Sequence, residues 1–162
     1  RAAKRLKEII HSSGGLLIIN DDPSLAAMVD ACGVHIGKHD QALDRARHIL
    51  GPKKIIGGSC YDDVSLAVRM QDEGADYVAF GAFFPSSSKS SATPVTLDVL
   101  RKVGASRLTI PVVAIGGINL NNAHDLLKCG PCTIAIINSL FGVPDVESRA
   151  REWMNFYVRF ES

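Results

Sequence analysis

Six short runs of apolar and β-branched residues recur along the chain, at 16–20, 33–37, 54–59, 77–81, 112–117 and 133–138. Within each run the apolar residues are continuous rather than alternating, as expected of strands covered on both faces of a parallel sheet. Between the runs the apolar positions change to helical spacing. Asp22-Pro23 opens one such segment, with the carboxylate as N-cap and proline at the first helical position. Segment 40–50 gathers Ala42, Leu43, Ala46, Ile49 and Leu50, and Gly51 stops it. Segment 64–73 carries Val64, Ala67 and Val68 before Gly74, and 96–103 carries Leu97, Leu100 and Val103 before Gly104. Asp145 caps a last helix with Val146, Ala150, Trp153 and Tyr157 on one face. A helix-like stretch also precedes the first run.

Strand and helix therefore alternate, which defines βα repeats. Successive strands lie roughly twenty residues apart, except where a polar loop, Phe84-Pro85-Ser86-Ser87-Ser88-Lys89-Ser90-Ser91, is inserted. A loop at a strand's carboxyl end is where a parallel α/β domain builds its site. The 162 residues suit one domain, 1–162, and 46% hydrophobic with 22% charged residues excludes disorder. Lys plus Arg is 18 against 17 for Asp plus Glu, so no basic field exists to hold nucleic acid. The longest apolar runs are far short of a membrane span. No signal peptide is read at the N-terminus, and the expected location is cytoplasmic.

Four cysteines are present, and Cys129-Gly130-Pro131-Cys132 spells a thioredoxin-type pair. That chemistry needs the pair at the start of a helix, where the dipole lowers the thiol pKa. Here a helical segment, 121–128, precedes the pair and a strand follows it, so Gly130-Pro131 reads as a helix stop. Cys32 and Cys60 are single and scattered, which argues against zinc. Four free thiols are expected.

The polar residues collect where strands end. Asn20, Asp21 and Asp22 follow the first run, Lys38 and Asp40 the second, and Ser59 ends the third. Ser86, Ser88 and Lys89 follow the fourth, Gly116-Gly117 ends the fifth, and Asn138 and Ser139 close the sixth. Two carboxylates on neighbouring strand ends suit Mg²⁺, a hard ion that shares oxygen ligands with substrate phosphates. Asp22 competes as a helix cap, so Asp21 and Asp40 are the expected ligands; all three as mere caps is the alternative. Hydroxyls of Ser86 and Ser88 with the Lys89 ammonium suit a diphosphate, or the loop is simply solvated. The glycine pair lets backbone N–H groups approach a phosphate. His35, inside an apolar run, reads as a satisfied core or rim histidine before it reads as a base.

The motifs Ile18-Ile19-Asn20-Asp21-Asp22, Gly33-Val34-His35-Ile36-Gly37-x-x-Asp40, Gly74-Ala75-Asp76-Tyr77-Val78, Gly81-x-x-Phe84-Pro85-Ser86-x-Ser88-Lys89 and Ile115-Gly116-Gly117-Ile118 together resemble the thiamine-phosphate synthase family. They occur in the family's order over nearly the whole chain. The resemblance implies a TIM (βα)8 barrel whose first two strands, with a Gln-x-Arg-x-Lys motif, are absent here. It implies coupling of hydroxymethylpyrimidine diphosphate to thiazole phosphate with release of diphosphate, assisted by Mg²⁺. It places Asn20 and Asp21 at the diphosphate and metal, Asp40 as a further metal ligand, and Ser59 on the diphosphate. Ser86 and Ser88 fall near the thiazole phosphate, Lys89 on the leaving diphosphate, and Gly117 on the thiazole phosphate, with Asn138 and Ser139 in the phosphate-binding turn. Lys89 and Ser59 are then the catalytic candidates. Lys38 stands where glutamine is common and Asn138 where serine is frequent.

Two other readings follow from the same pattern. The related thiazole tautomerase uses a histidine just after the Gly81 position, and this chain has Ala82 there. A non-catalytic phosphate-binding barrel is opposed by Ser86, Ser88, Lys89, Asp21 and Asp40 being present together. The expected partners are small phosphorylated molecules and, as an open option, further copies of the chain.

Overall fold

The computed structural model describes residues 1–37, 43–85, 94–130 and 132–160. Six strands form one sheet in chain order: β1 (Ile18–Asn20), β2 (Gly33–Ile36), β3 (Ile55–Tyr61), β4 (Tyr77–Phe80), β5 (Val112–Ala114) and β6 (Thr133–Ile134). β1 pairs with β2, β2 with β3 and β5 with β6, each parallel. Helix α1 (Ala2–Ser12) precedes the sheet. The crossovers contain α2 (Pro23–Met28), α3 (Leu43–Leu50), α4 (Val64–Asp72), α5 (Asp98–Gly104) and α6 (Ala123–Leu127). After β6 come α7 (Asn138–Phe141) and α8 (Val146–Phe160). An α/β sheet with this unbroken strand order is consistent with a TIM-like fold. Among the described residues, no helix is long and apolar enough to cross a membrane.

The chain divides into two compact units, Arg1–Cys60 with Ser65–Val78, and Tyr61–Val64 with Ala79–Ser162. In the first unit Val34, Ile36, Ile56, Cys60 and Val78 are buried, with Ala26, Ala46, Ala67 and Met70 contributed by the helices. Each fully buried large side chain stabilises by about 1.5–3 kcal/mol. Gly58 makes room for α4: a Cβ there would lie 2.8 Å from Met70 Sδ. At the amino ends of the strands, Arg47 donates to the carbonyls of Lys54 (2.6 Å) and Gly74 (2.9 Å) and to Asp76 Oδ2 (2.7 Å). That same carboxylate oxygen accepts from Ile56 N–H at 2.8 Å. Lys7 and Lys54 both pair with Asp30.

In the second unit Phe80, Leu100, Ala114 and Leu126 form the interior, and α5 buries Val99, Leu100 and Val103. Asp145 caps α8, its Oδ1 accepting from Ser148 N–H at 2.9 Å. Trp153 is the residue of α8 that is buried.

The strand ends correct the sequence reading. β5 stops at Ala114 rather than at residue 117, because Gly116 and Gly117 take φ values of +94° and +62°, far from extended. β6 stops at Ile134, so Asn138 is the first residue of α7 and not a strand end. β3 runs on to Tyr61, which places Ser59 inside the strand rather than at its end. The first 40–50 segment is helical from Leu43, its opening residues lying outside the described ones.

Candidate functional site

The first unit carries a polar rim where β1 ends. Asn20 is exposed at the last strand position. Asp21 then takes φ +66°, a left-handed conformation that aspartate tolerates better than most side chains. Its N–H donates to His35 O at 2.8 Å, and Asp22 N–H returns to Asn20 O at 2.9 Å. The two carboxylates thereby part. Asp22 Oδ1 accepts from Leu25 N–H at 2.8 Å and is the cap of α2, with Pro23 behind it. Asp21 stays exposed and accepts a hydrogen bond from the Asn20 carboxamide. The exposed Asp21 carboxylate and the Asn20 amide oxygen would offer oxygen ligands. They fit a hard divalent cation that takes most of its ligands from water and phosphate. Among the described residues, no three His, Cys, Asp or Glu side chains gather into a cage for an ion.

The register sets Asn20 beside His35 and His35 beside Gly57, so these three share one face of β1–β3. Ser59, two residues beyond Gly57, lies on the same face. His35 Nε2 is 2.9 Å from Ser59 Oγ, and His35 Nδ1 is 2.9 Å from the Tyr77 hydroxyl. The Tyr77 ring stacks on the imidazole, with centroids 5.5 Å apart and planes 25° apart. It does so by crossing Gly57, where any Cβ would overlap the phenol carbons. Burial pushes the Tyr77 phenol up to about 12. His35 is thus a rim histidine engaged through both ring nitrogens. Tyr77 is a polar residue of this face that enters the sequence reading only as part of the Gly74–Val78 motif, with no site role assigned.

The second unit carries a backbone feature. Past β4 and β5 the loops stay zipped: Ile115 N–H donates to Phe80 O (2.9 Å), Phe83 N–H to Ile115 O (3.1 Å) and Phe84 N–H to Gly116 O (3.1 Å). The approach is so close that a Cβ on Gly116 would overlap Ala82, and one on Gly117 would lie 2.6 Å from Phe84 O and overlap Pro85 O. Asn119 and Asn122 then fix the turn into α6. Asn122 Nδ2 donates to Gly117 O at 3.1 Å, and Asn122 Oδ1 accepts from Asn119 N–H at 2.8 Å. Asn138 is exposed at the start of α7, while the Ser139 hydroxyl is buried with no hydrogen-bond partner among the described residues.

Asp40, Ser86, Ser88 and Lys89 lie outside the described residues, as does Lys38. Of the expected site residues, the first unit therefore groups Asn20, Asp21 and Ser59. The second carries Gly117, Asn138 and Ser139. The four cysteines are free thiols. Cys129 follows α6 and donates to Asp125 O at 3.2 Å, while burial and the neighbouring Cys129 push Cys132 up to about 11. Both facts oppose a redox pair, which needs a stabilised thiolate. A hollow of about 490 Å³ between α1 and the end of α2 is lined by Lys4, Lys7, Glu8, His11 and Asp30. It sits at the amino ends of the strands, away from the rim just described.

A parallel sheet in chain order, with amide, carboxylate and hydroxyl groups and a glycine turn past its strands, defines a βα-repeat protein of the TIM-like class. The chain's likeness to known proteins narrows this. Residues 1–140 match the family of thiamine monophosphate synthase. The chain is 46% identical over 153 residues to a thiamine-phosphate synthase of Methylococcus capsulatus, covering 94% of this chain and 68% of that protein. It is 44% identical over 153 residues to one of Alcanivorax borkumensis, covering 93% and 70%. A thiamine phosphate pyrophosphorylase from Pyrococcus furiosus superimposes with a TM-score of 0.89 at 35% identity, covering 99% of this chain and 76% of that one. The chain belongs to the thiamine monophosphate synthase family, a family of transferase enzymes of thiamine biosynthesis. It spans about two thirds of the length of the relatives it matches.

Proposed function

We propose that the protein couples hydroxymethylpyrimidine diphosphate to thiazole phosphate, giving thiamine phosphate and diphosphate. The observation that carries this reading is the parting of Asp21 from Asp22. One carboxylate is committed to the α2 cap, and its neighbour is held exposed at the strand end beside Asn20 by a left-handed backbone. A carboxylate held exposed at a strand end is suited to a divalent cation shared with a diphosphate.

In this reading Asp21 and Asp40 hold Mg²⁺, which when bound offsets charge building on the departing diphosphate. Asn20 and Ser59 hydrogen-bond the diphosphate, and Lys89 adds a positive charge to it. The bond between the pyrimidine methylene carbon and the diphosphate oxygen breaks, and its electron pair leaves with the diphosphate. The thiazole nitrogen lone pair then forms the new C–N bond. Gly117, in the turn after β5, offers backbone N–H to the thiazole phosphate, Asn138 and Ser139 approach it from the start of α7, and Ser86 and Ser88 line the same phosphate. The glycine turn supports that role, since neither Gly116 nor Gly117 carries a side chain of its own to block approach to its N–H.

The same reading includes closure of the sheet into an eight-stranded (βα)8 barrel as one domain, with two strands supplied ahead of β1. It includes a cytoplasmic enzyme that takes small phosphorylated substrates, binds neither nucleic acid nor membrane, and is open to self-association. Ala82, at the position of the tautomerase histidine, disfavours tautomerisation.

The test is conversion of the two precursors by the purified protein. Thiamine phosphate is expected only with Mg²⁺ present, and unchanged activity in EDTA would overturn the metal assignment. Lys89→Ala should lower turnover by about 10²-fold or more if the ammonium stabilises the leaving group; a near-wild-type rate removes it from the site.

A further inference from the structure

We propose that Tyr77 is a positioning residue acting through His35 on Ser59: its phenol donates to Nδ1 and holds His35 as the Nε2–H tautomer. That tautomer donates to Ser59 Oγ and leaves the serine proton for an oxygen of the bound phosphoryl group. The inference rests on the reading of Ser59 as a diphosphate contact and adds how that hydroxyl is aimed.

The three groups form one chain, Tyr77 hydroxyl to Nδ1 at 2.9 Å and Nε2 to Ser59 Oγ at 2.9 Å. A neutral imidazole has one donor and one acceptor nitrogen, so fixing one end fixes the other. Two directions are available. If Ser59 donated to Nε2, the hydroxyl would turn lone pairs toward an anion, which repels them. If Tyr77 donates to Nδ1, Ser59 keeps its proton for the anion. Donor strength favours the second direction, because a phenol is a stronger acid than a neutral imidazole N–H or an alcohol. Burial keeps Tyr77 in its protonated phenol form well into alkaline pH. The contact is also built for. The phenol reaches His35 only because position 57 has no side chain, and the stacked rings hold the imidazole plane.

Ring ¹⁵N spectra of the purified protein, recorded roughly two pH units above the ordinary histidine pKa, read the tautomer directly. The His35 signal is identified by its loss in His35→Gln. The expected result is a single Nε2–H tautomer in the wild type and a mixture in Tyr77→Phe, which keeps the ring and removes one oxygen. Turnover of Tyr77→Phe should fall about tenfold with KM within about twofold. In a Ser59→Ala background the same change should have no further effect. An Nδ1–H tautomer in the wild type, an unchanged tautomer in Tyr77→Phe, or an undiminished Tyr77→Phe effect without Ser59 would overturn the proposal. Absence of synthase turnover in the wild type would instead refute the diphosphate reading, and the spectra would still decide the tautomer.

Discussion

Replacing Gly117 with alanine tests whether the glycine turn past β5 is dictated by close approach or only by backbone angle. Two costs are expected. At φ +62° an alanine sits in the left-handed region, which costs about 1–2 kcal/mol. The new Cβ would also lie 2.6 Å from Phe84 O, about 0.4 Å inside the 3.0 Å floor of real Cβ contacts, and would overlap Pro85 O. Both neighbours are backbone, and Phe84 N–H is tied to Gly116 O, so neither carbonyl can swing away cheaply. Overpacking of this kind adds about 1–3 kcal/mol. The combined loss is then about 2–5 kcal/mol, a fall in Tm of roughly 4–20 °C for a chain of this size. Gly51→Ala is the control, because Gly51 has φ +77° and nothing within 4 Å of a Cβ. It carries the angular cost alone. Thermal and urea unfolding of both variants, followed by circular dichroism, separate the two terms. Equal losses for the two variants would refute the claim that the loop after β4 demands glycine at 117.

Other outcomes follow from the same geometry. Lys54 and Lys7, bonded to Asp30, hold its carboxyl down to about 2 against an ordinary 3.8. Its contribution to stability is therefore complete above about pH 4 and is lost as pH falls toward 2. Acid unfolding of Asp30→Asn should lack that component, and an identical acid limb would refute it. Arg47→Met leaves the carbonyls of Lys54 and Gly74 and the Asp76 carboxylate without their cation. The half-exposed site admits some water, so a loss of about 2 kcal/mol in urea unfolding is expected, and a loss below about 0.5 kcal/mol would show the network to be idle. Spectrophotometric titration at alkaline pH should show one tyrosine ionising near 12, removed by Tyr77→Phe. Three tyrosines all titrating near their ordinary value would contradict its burial.

The parts of this molecule that local rules decide were readable from sequence. Asp22-Pro23 announces a helix start because a cap needs only a carboxylate three residues from an orphan N–H, and the Asp22–Leu25 bond is that cap. The continuous apolar runs announce strands because burial on both faces leaves no polar positions. Strand ends were less legible: Ile115-Gly116-Gly117 is apolar enough to read as strand, and only the backbone angles exclude it. Asn138 reads as a strand end for a like reason, the isoleucines before it continuing the apolar run past the last ladder pair. Position and partner also part at His35. Its satisfied state is legible from the apolar run around it, yet its partners lie 24 and 42 residues away and depend on strand register and on Gly57. Nothing within a short window encodes them. Asp40, Ser86, Ser88 and Lys89 stand on their residue types, their places after strands and the resemblance, and lie outside the described residues.

The bare stretch of β3 at Gly57 has a consequence for anyone diversifying this protein. Positions 57 and 77 are not independent variables: the aromatic on one strand occupies the volume that a side chain on its neighbour would need. A library that randomises residue 57 while keeping tyrosine at 77 will return glycine, whereas paired randomisation should recover combinations of a small residue at one position with a bulkier one at the other.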